Sequence, residues 1–121
     1  MVIRGRIVQG CGHFRVRMTE YPDVFTKATG QKPFPGTLNV KIDQPISVRE
    51  DFRIKGADIG EPEQDLVFEC CRINGLEAFR IRPLHLATGL GGHGDDTLEI
   101  TYSQMISCAD PGTEVEIEVF R

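Results

Sequence analysis

Apolar and polar residues alternating with a period of two are the feature that most constrains this 121-residue chain. Such alternation sends successive side chains to opposite faces of an extended strand, so each segment carrying it needs a core on one side. It recurs in five places. Phe14, Val16 and Met18 alternate with Arg15 and Arg17; Leu38, Val40 and Ile42 with Thr37, Asn39 and Lys41; Leu98, Ile100 and Tyr102 with Thr97, Glu99 and Thr101. Val115, Ile117 and Val119 alternate with three glutamates, and Glu77, Phe79 and Ile81 with Ala78, Arg80 and Arg82. This last segment follows an apolar stretch, Leu66 to Ile73, across Asn74-Gly75, a pair at ease with positive φ and a strong hairpin signal. Val2 to Val8 reads as a further strand interrupted by Gly5.

Helix is scarce. Tyr21 to Ala28 predicts two turns, with Pro22 early and Gly30 as the stop, and Ser103 to Cys108 predicts another before Asp110-Pro111-Gly112. Six or seven short strands with little helix predict an all-β fold, a small closed barrel, because closure removes exposed edges. The length predicts one domain over residues 1–121.

The chain carries 14 Lys+Arg against 18 Asp+Glu, a net charge of −4, with no basic run, which argues against nucleic acid or an anionic membrane as partner. Arg4 and Arg6 interrupt what would be an N-terminal signal core, and no apolar run reaches membrane-spanning length, so a cytoplasmic protein is expected. Cys11, Cys70, Cys71 and Cys108 are irregularly spaced; Cys70 and Cys71, as neighbours, would point to opposite faces of a strand. Neither a disulfide framework nor a zinc site is expected, since there is no CxxC and His13, His85 and His93 have no recurrent ligand spacing.

The stretch Lys32 to Ile42, KPFPGTLNVKI, carries the most chemistry. Pro33 and Pro35 stiffen the approach, Gly36 frees the backbone, and a strand follows. Leu38, Val40 and Ile42 then face the core, while Thr37 and Asn39 place a hydroxyl and an amide oxygen in a row, with the Lys41 ammonium beyond. Two readings of that row stand: the wet face of an amphipathic strand, or neutral oxygen ligands for a hard cation that draws its negative ligands from a phosphate.

The run PFPGTLNVKI resembles the signature of the CTP-dependent riboflavin kinases, best known from archaea. Gly10-Cys11-Gly12 is similar to that family's glycine-rich loop, Tyr21 to Gly30 to its short helix before the signature, Leu98-Glu99-Ile100 to its acidic residue in an apolar strand, and Asp110 to Val119 to its closing strand. The resemblance implies a six-stranded barrel of the cradle-loop, riboflavin-kinase-like type with one or two short helices. It implies transfer of the γ-phosphate of CTP to the 5'-hydroxyl of riboflavin, giving FMN and CDP. Thr37 and Asn39 would hold Mg²⁺, Glu99 and Thr88 would contact the flavin, and the loop of Gly10, Cys11, Gly12, His13, Phe14 and Arg15 would hold the nucleotide. Gln104, Met105, Ile106 and Ser107 occupy the family's other nucleotide-contacting stretch.

Three departures from the family pattern accompany these matches. His13 and Phe14 replace an acidic and a small residue, the segment LATGLGGHGDDTLEI carries extra glycines and sets Thr88 further from Glu99, and Gln104 to Ser107 lack the family's Leu-Arg pair. GLGGHG, residues 89–94, precedes a strand rather than opening a helix, so it does not read as a dinucleotide-binding loop. An alternative to the kinase is a divergent, non-catalytic barrel that binds flavin or nucleotide. A third, a partner domain of a DNA-tethered regulator, finds no helix-turn-helix or basic face to support it.

Overall fold

The computed structural model describes residues 1–10, 13–84, 96–103 and 110–121, with the side chain of His13 also left aside. The strands are β1 (Val2–Val8), β2 (Leu38–Ile42), β3 (Phe52–Ile54), β4 (Leu66–Ile73), β5 (Leu76–Pro83), β6 (Thr97–Tyr102) and β7 (Glu114–Val119). Helix α1 (His13–Glu20) and helix α2 (Pro22–Thr29) lie between β1 and β2, and a 3-10 turn spans Gly56–Ile59.

All strand pairings are antiparallel, and six strands form a ring, β4-β5-β6-β2-β1-β7, because β7 pairs back onto β4 through Cys71–Ile73. The short β3 shares that edge of β4, taking Leu66–Phe68. The expected closed barrel is therefore present, and no edge of the ring is left open. The β4–β5 hairpin turns at Asn74 (φ 49°) and Gly75 (φ 80°), the two positive φ values that a tight turn matched to strand twist requires.

The alternation sorts into two apolar clusters. Leu38, Val40, Ile42, Leu98, Ile100, Val115, Ile117 and Val119 fill the interior with Cys71 and Ile73. Outside the ring, Phe68, Phe79 and Ile81 pack beneath the two helices against Phe14, Met18 and Phe25. Cys70 packs against this outer cluster and Cys71 belongs to the inner one, on opposite faces as expected. Burial pushes the Cys71 thiol up to about 12.

Residues 14–18 correct the sequence reading, for they form helix rather than strand. Phe14 and Met18, four residues apart on one helical face, are buried, whereas Val16 is 54% exposed. A strand there would also have lacked a partner beside β1, both of whose edges are taken by β2 and β7. The second helix is as expected: Pro22 stands in its first turn, and Gly30, at φ 76°, ends it by donating its N–H to the Thr26 carbonyl. The expected Ser103–Cys108 helix lies outside the described residues. Among the described residues no helix is long and apolar enough to cross a membrane.

Candidate functional site

Strand β2 buries Leu38, Val40 and Ile42 inside the barrel, which leaves Asn39 half-buried and Lys41 exposed on the outer face. Register then decides what Asn39 meets. Asn39 lies directly opposite Glu99 of β6 on one side and Val8 of β1 on the other. Directly opposed residues of an antiparallel pair have Cβ atoms about 4.5–5.5 Å apart, so the amide and the carboxylate share one patch of surface.

The chain leaving β1 crosses this patch. A Cβ on Gly10 would fall 2.0 Å from Asn39 Nδ2 and 3.0 Å from its Cγ, so any side chain at position 10 would have to push the Asn39 amide aside. α1 then opens at His13, and a helix start turns its backbone N–H groups toward whatever lies before it, an arrangement suited to an anion.

The approach to β2 is pinned from two sides. The Phe34 N–H donates to the Tyr102 carbonyl at 2.7 Å, and the two rings stack with centroids 5.7 Å apart. The Gly36 N–H points at Met18 Sδ of α1, 3.3 Å away. Gly36 holds φ 106°, a conformation that disfavours any side chain and explains the glycine ahead of Thr37-Leu38-Asn39. Thr37, half-buried, stands one residue before β2. Burial raises the Tyr102 phenol above its ordinary value.

The candidate residues thus divide. Gly10, Asn39 and Glu99 come from three separate segments and meet, with Thr37 next to them in the chain. Phe14 is only 4% exposed and belongs to the outer core, so its side chain offers nothing to a ligand; Arg15 is exposed on α1. Cys11, Gly12, Thr88, Gln104, Met105, Ile106 and Ser107, and the side chain of His13, lie outside the described residues. Of the neighbouring cations, Arg17 is held by Glu61 at 2.7 Å, and Lys41 is paired with Asp96.

Sequence reasoning missed the stack of Phe34 on Tyr102. Both rings are visible in the sequence, but 68 positions separate them and no periodicity relates them. A cavity of about 670 Å³ between α2 and β3, lined by Val24, Lys27, Ala28, Arg53, Ile54, Lys55 and Asp58, shares no residue with this site.

The donor set suits a hard divalent cation. Thr37 and Asn39 offer neutral oxygens, and Glu99 stands opposite Asn39. Among the described residues no group of three or more His, Cys, Asp or Glu side chains could hold a metal, so an ion here would take further ligands from water or phosphate.

Comparison with known proteins finds relatives across most of the chain. The family model CTP-dep_RFKase, described as "Domain of unknown function DUF120", matches residues 7–119. A riboflavin kinase of Methanocella arvoryzae is 33% identical over 89 residues, covering 68% of this chain and 41% of its own length. A riboflavin kinase of Thermofilum pendens is 28% identical over 116 residues, covering 83% and 49%. One from Staphylothermus marinus is 30% identical over 101 residues, covering 81% and 73%. The chain therefore spans about half the length of the first two relatives.

Proposed function

The chain belongs to the CTP-dependent riboflavin kinase family, and from that premise we propose that it transfers the γ-phosphate of CTP to the 5'-hydroxyl of riboflavin, giving FMN and CDP. The observation that carries the reading is the convergence of Gly10, Asn39 and Glu99 on one outer face of the barrel. Phosphoryl transfer asks little covalent chemistry of a protein and depends on positioning and charge stabilisation. Three neighbouring devices supply these. The glycine loop and the α1 N-terminus receive the nucleotide phosphates through backbone N–H groups. Thr37 and Asn39 hold Mg²⁺, which when bound would neutralise charge on the phosphates. Glu99 accepts a hydrogen bond from the flavin hydroxyl and keeps it in line with the phosphate.

A non-catalytic flavin-binding module is the second reading, favoured by the neutral stretch Gln104 to Ser107 where the family has a Leu-Arg pair. One assay separates the two: purified protein with riboflavin, Mg²⁺ and each nucleoside triphosphate in turn, with FMN resolved from riboflavin. FMN should form with CTP, should require the metal, and should be lost in Asn39→Ala while the far-UV spectrum is unchanged. Flavin binding without FMN under every nucleotide would replace the kinase with the binding module, and an Asn39→Ala variant as active as wild type would remove Asn39 from the metal site.

A further inference from the structure

We propose that Arg6 and Lys41 form a cationic seat for the phosphate the flavin acquires, so that this face distinguishes a flavin phosphomonoester from the free flavin. The inference rests on the assignment of Asn39 and Glu99 made above.

Arg6 of β1 lies directly opposite Lys41 of β2, in the row two residues along from Val8 and Asn39. Period two puts both rows on the same outer face, about 6–7 Å apart, a span that the flexible four-carbon stem of a lysine can cross. Among the described strand residues these two are the cations in the row next to Asn39 and Glu99, the carboxylate assigned to the accepting hydroxyl. Like charges directly opposed across strands are unfavourable, so the juxtaposition is one that strand pairing alone disfavours.

Each cation is balanced by an acid from the next strand outward. Arg6 stands 3.5 Å from Glu114, at the start of β7, and Lys41 pairs with Asp96, just before β6. The side chains of Arg6 and Lys41 are 64% and 53% exposed, and ion pairs so open to water are weak enough to yield to a stronger anion. A cavity of about 570 Å³ opens over the row, lined by Arg4, Arg6, Val8, Lys41, Asp43 and Glu114. A phosphomonoester brings a charge of about −1.5 to −2 at neutral pH and three acceptor oxygens, which a guanidinium and an ammonium side by side can share. Riboflavin brings no such charge and gains nothing from the pair.

The test is flavin fluorescence titration with FMN and with riboflavin, at one fixed ionic strength, on wild type, Lys41→Gln, Arg6→Gln and Asp96→Asn. Wild type should bind FMN more tightly than riboflavin. Lys41→Gln and Arg6→Gln should each lower FMN affinity by about tenfold, the loss of one charge-assisted hydrogen bond, and leave riboflavin affinity within about twofold. Asp96→Asn should hold or raise FMN affinity, since it releases Lys41. An FMN-to-riboflavin ratio unchanged in both cation variants would overturn the proposal. So would an Asp96→Asn variant that loses FMN as Lys41→Gln does, because Lys41 would then be a strut that fixes the start of β6. A wild-type protein that binds neither flavin would instead overturn the reading of Asn39 and Glu99 on which the seat depends.

Discussion

Gly10 shows how much one missing side chain can determine. The backbone passes so close to Asn39 that a methyl group at position 10 would fall 2.0 Å from the amide nitrogen. The obstructing atom is the end of a flexible side chain, so Gly10→Ala should fold and answer the clash by turning the Asn39 amide aside. Metal-dependent turnover should then fall by about a hundredfold, the scale expected of a misplacement near 1 Å, while the melting temperature moves by a few degrees at most. Steady-state rates against Mg²⁺ concentration, beside a thermal melt, check this; unaltered rates would mean that the Asn39 orientation is immaterial. The glycine itself is legible in the sequence, but its reason is not, because Gly10 and Asn39 are 29 positions apart and nothing local relates them.

Among the elements, α1 is where local pattern and actual structure part. The segment Phe14 to Met18 satisfies a two-residue period and, through Phe14 and Met18, also a four-residue spacing. Only the first reading requires Val16 to be buried, and it is 54% exposed. The two readings make different energetic claims. On the helix, Phe14→Ala removes a buried ring and should cost about 3–5 kcal/mol, whereas Val16→Ala should stay within about 0.5 kcal/mol. Urea unfolding of both variants measures the contrast, and similar losses at the two positions would speak for an alternating strand. Strands β2, β6 and β7 agree with their alternation because each has a paired neighbour on both sides and a core on one face, whereas β5 is buried on both faces, with Ala78 in the inner cluster, Phe79 and Ile81 in the outer one, and Arg80 and Arg82 buried as well. The short β3 carries no such pattern in its three residues, and only its place beside β4 makes it a strand.

At the scale of the whole molecule, barrel closure buries ionised groups together. Glu69 is fully buried and lies opposite Arg80, itself 1% exposed, with 4.0 Å between the nearest charged atoms. Its carboxylate also accepts the Arg49 backbone N–H at 3.0 Å and meets the Arg121 guanidinium at 3.1 Å, tying the segment before β3 and the residues after β7 to β4. Removing one member of such a group takes a charged partner from the others in a medium that solvates charge poorly. Glu69→Leu should therefore destabilise by about 3–5 kcal/mol, while joining it to Arg80→Met should recover most of the loss. Chemical denaturation of the single and double variants decides the matter; a double variant as unstable as Glu69→Leu would show that Arg80 contributes independently of the carboxylate.

Local sequence was enough for the alternating strands β2, β6 and β7, the α2 stop at Gly30, the Asn74-Gly75 turn and the preparation of Thr37 and Asn39 by Gly36. All of these are consequences of side-chain period and backbone freedom within a few residues. Tertiary structure decided which residues stand opposite one another: Asn39 with Glu99, Arg6 with Lys41, Glu69 with Arg80. Alternation fixes the face on which a side chain lies but not its partner, because strand register is set by packing around the closed ring. A site assembled across three strands therefore exists only once the barrel has closed.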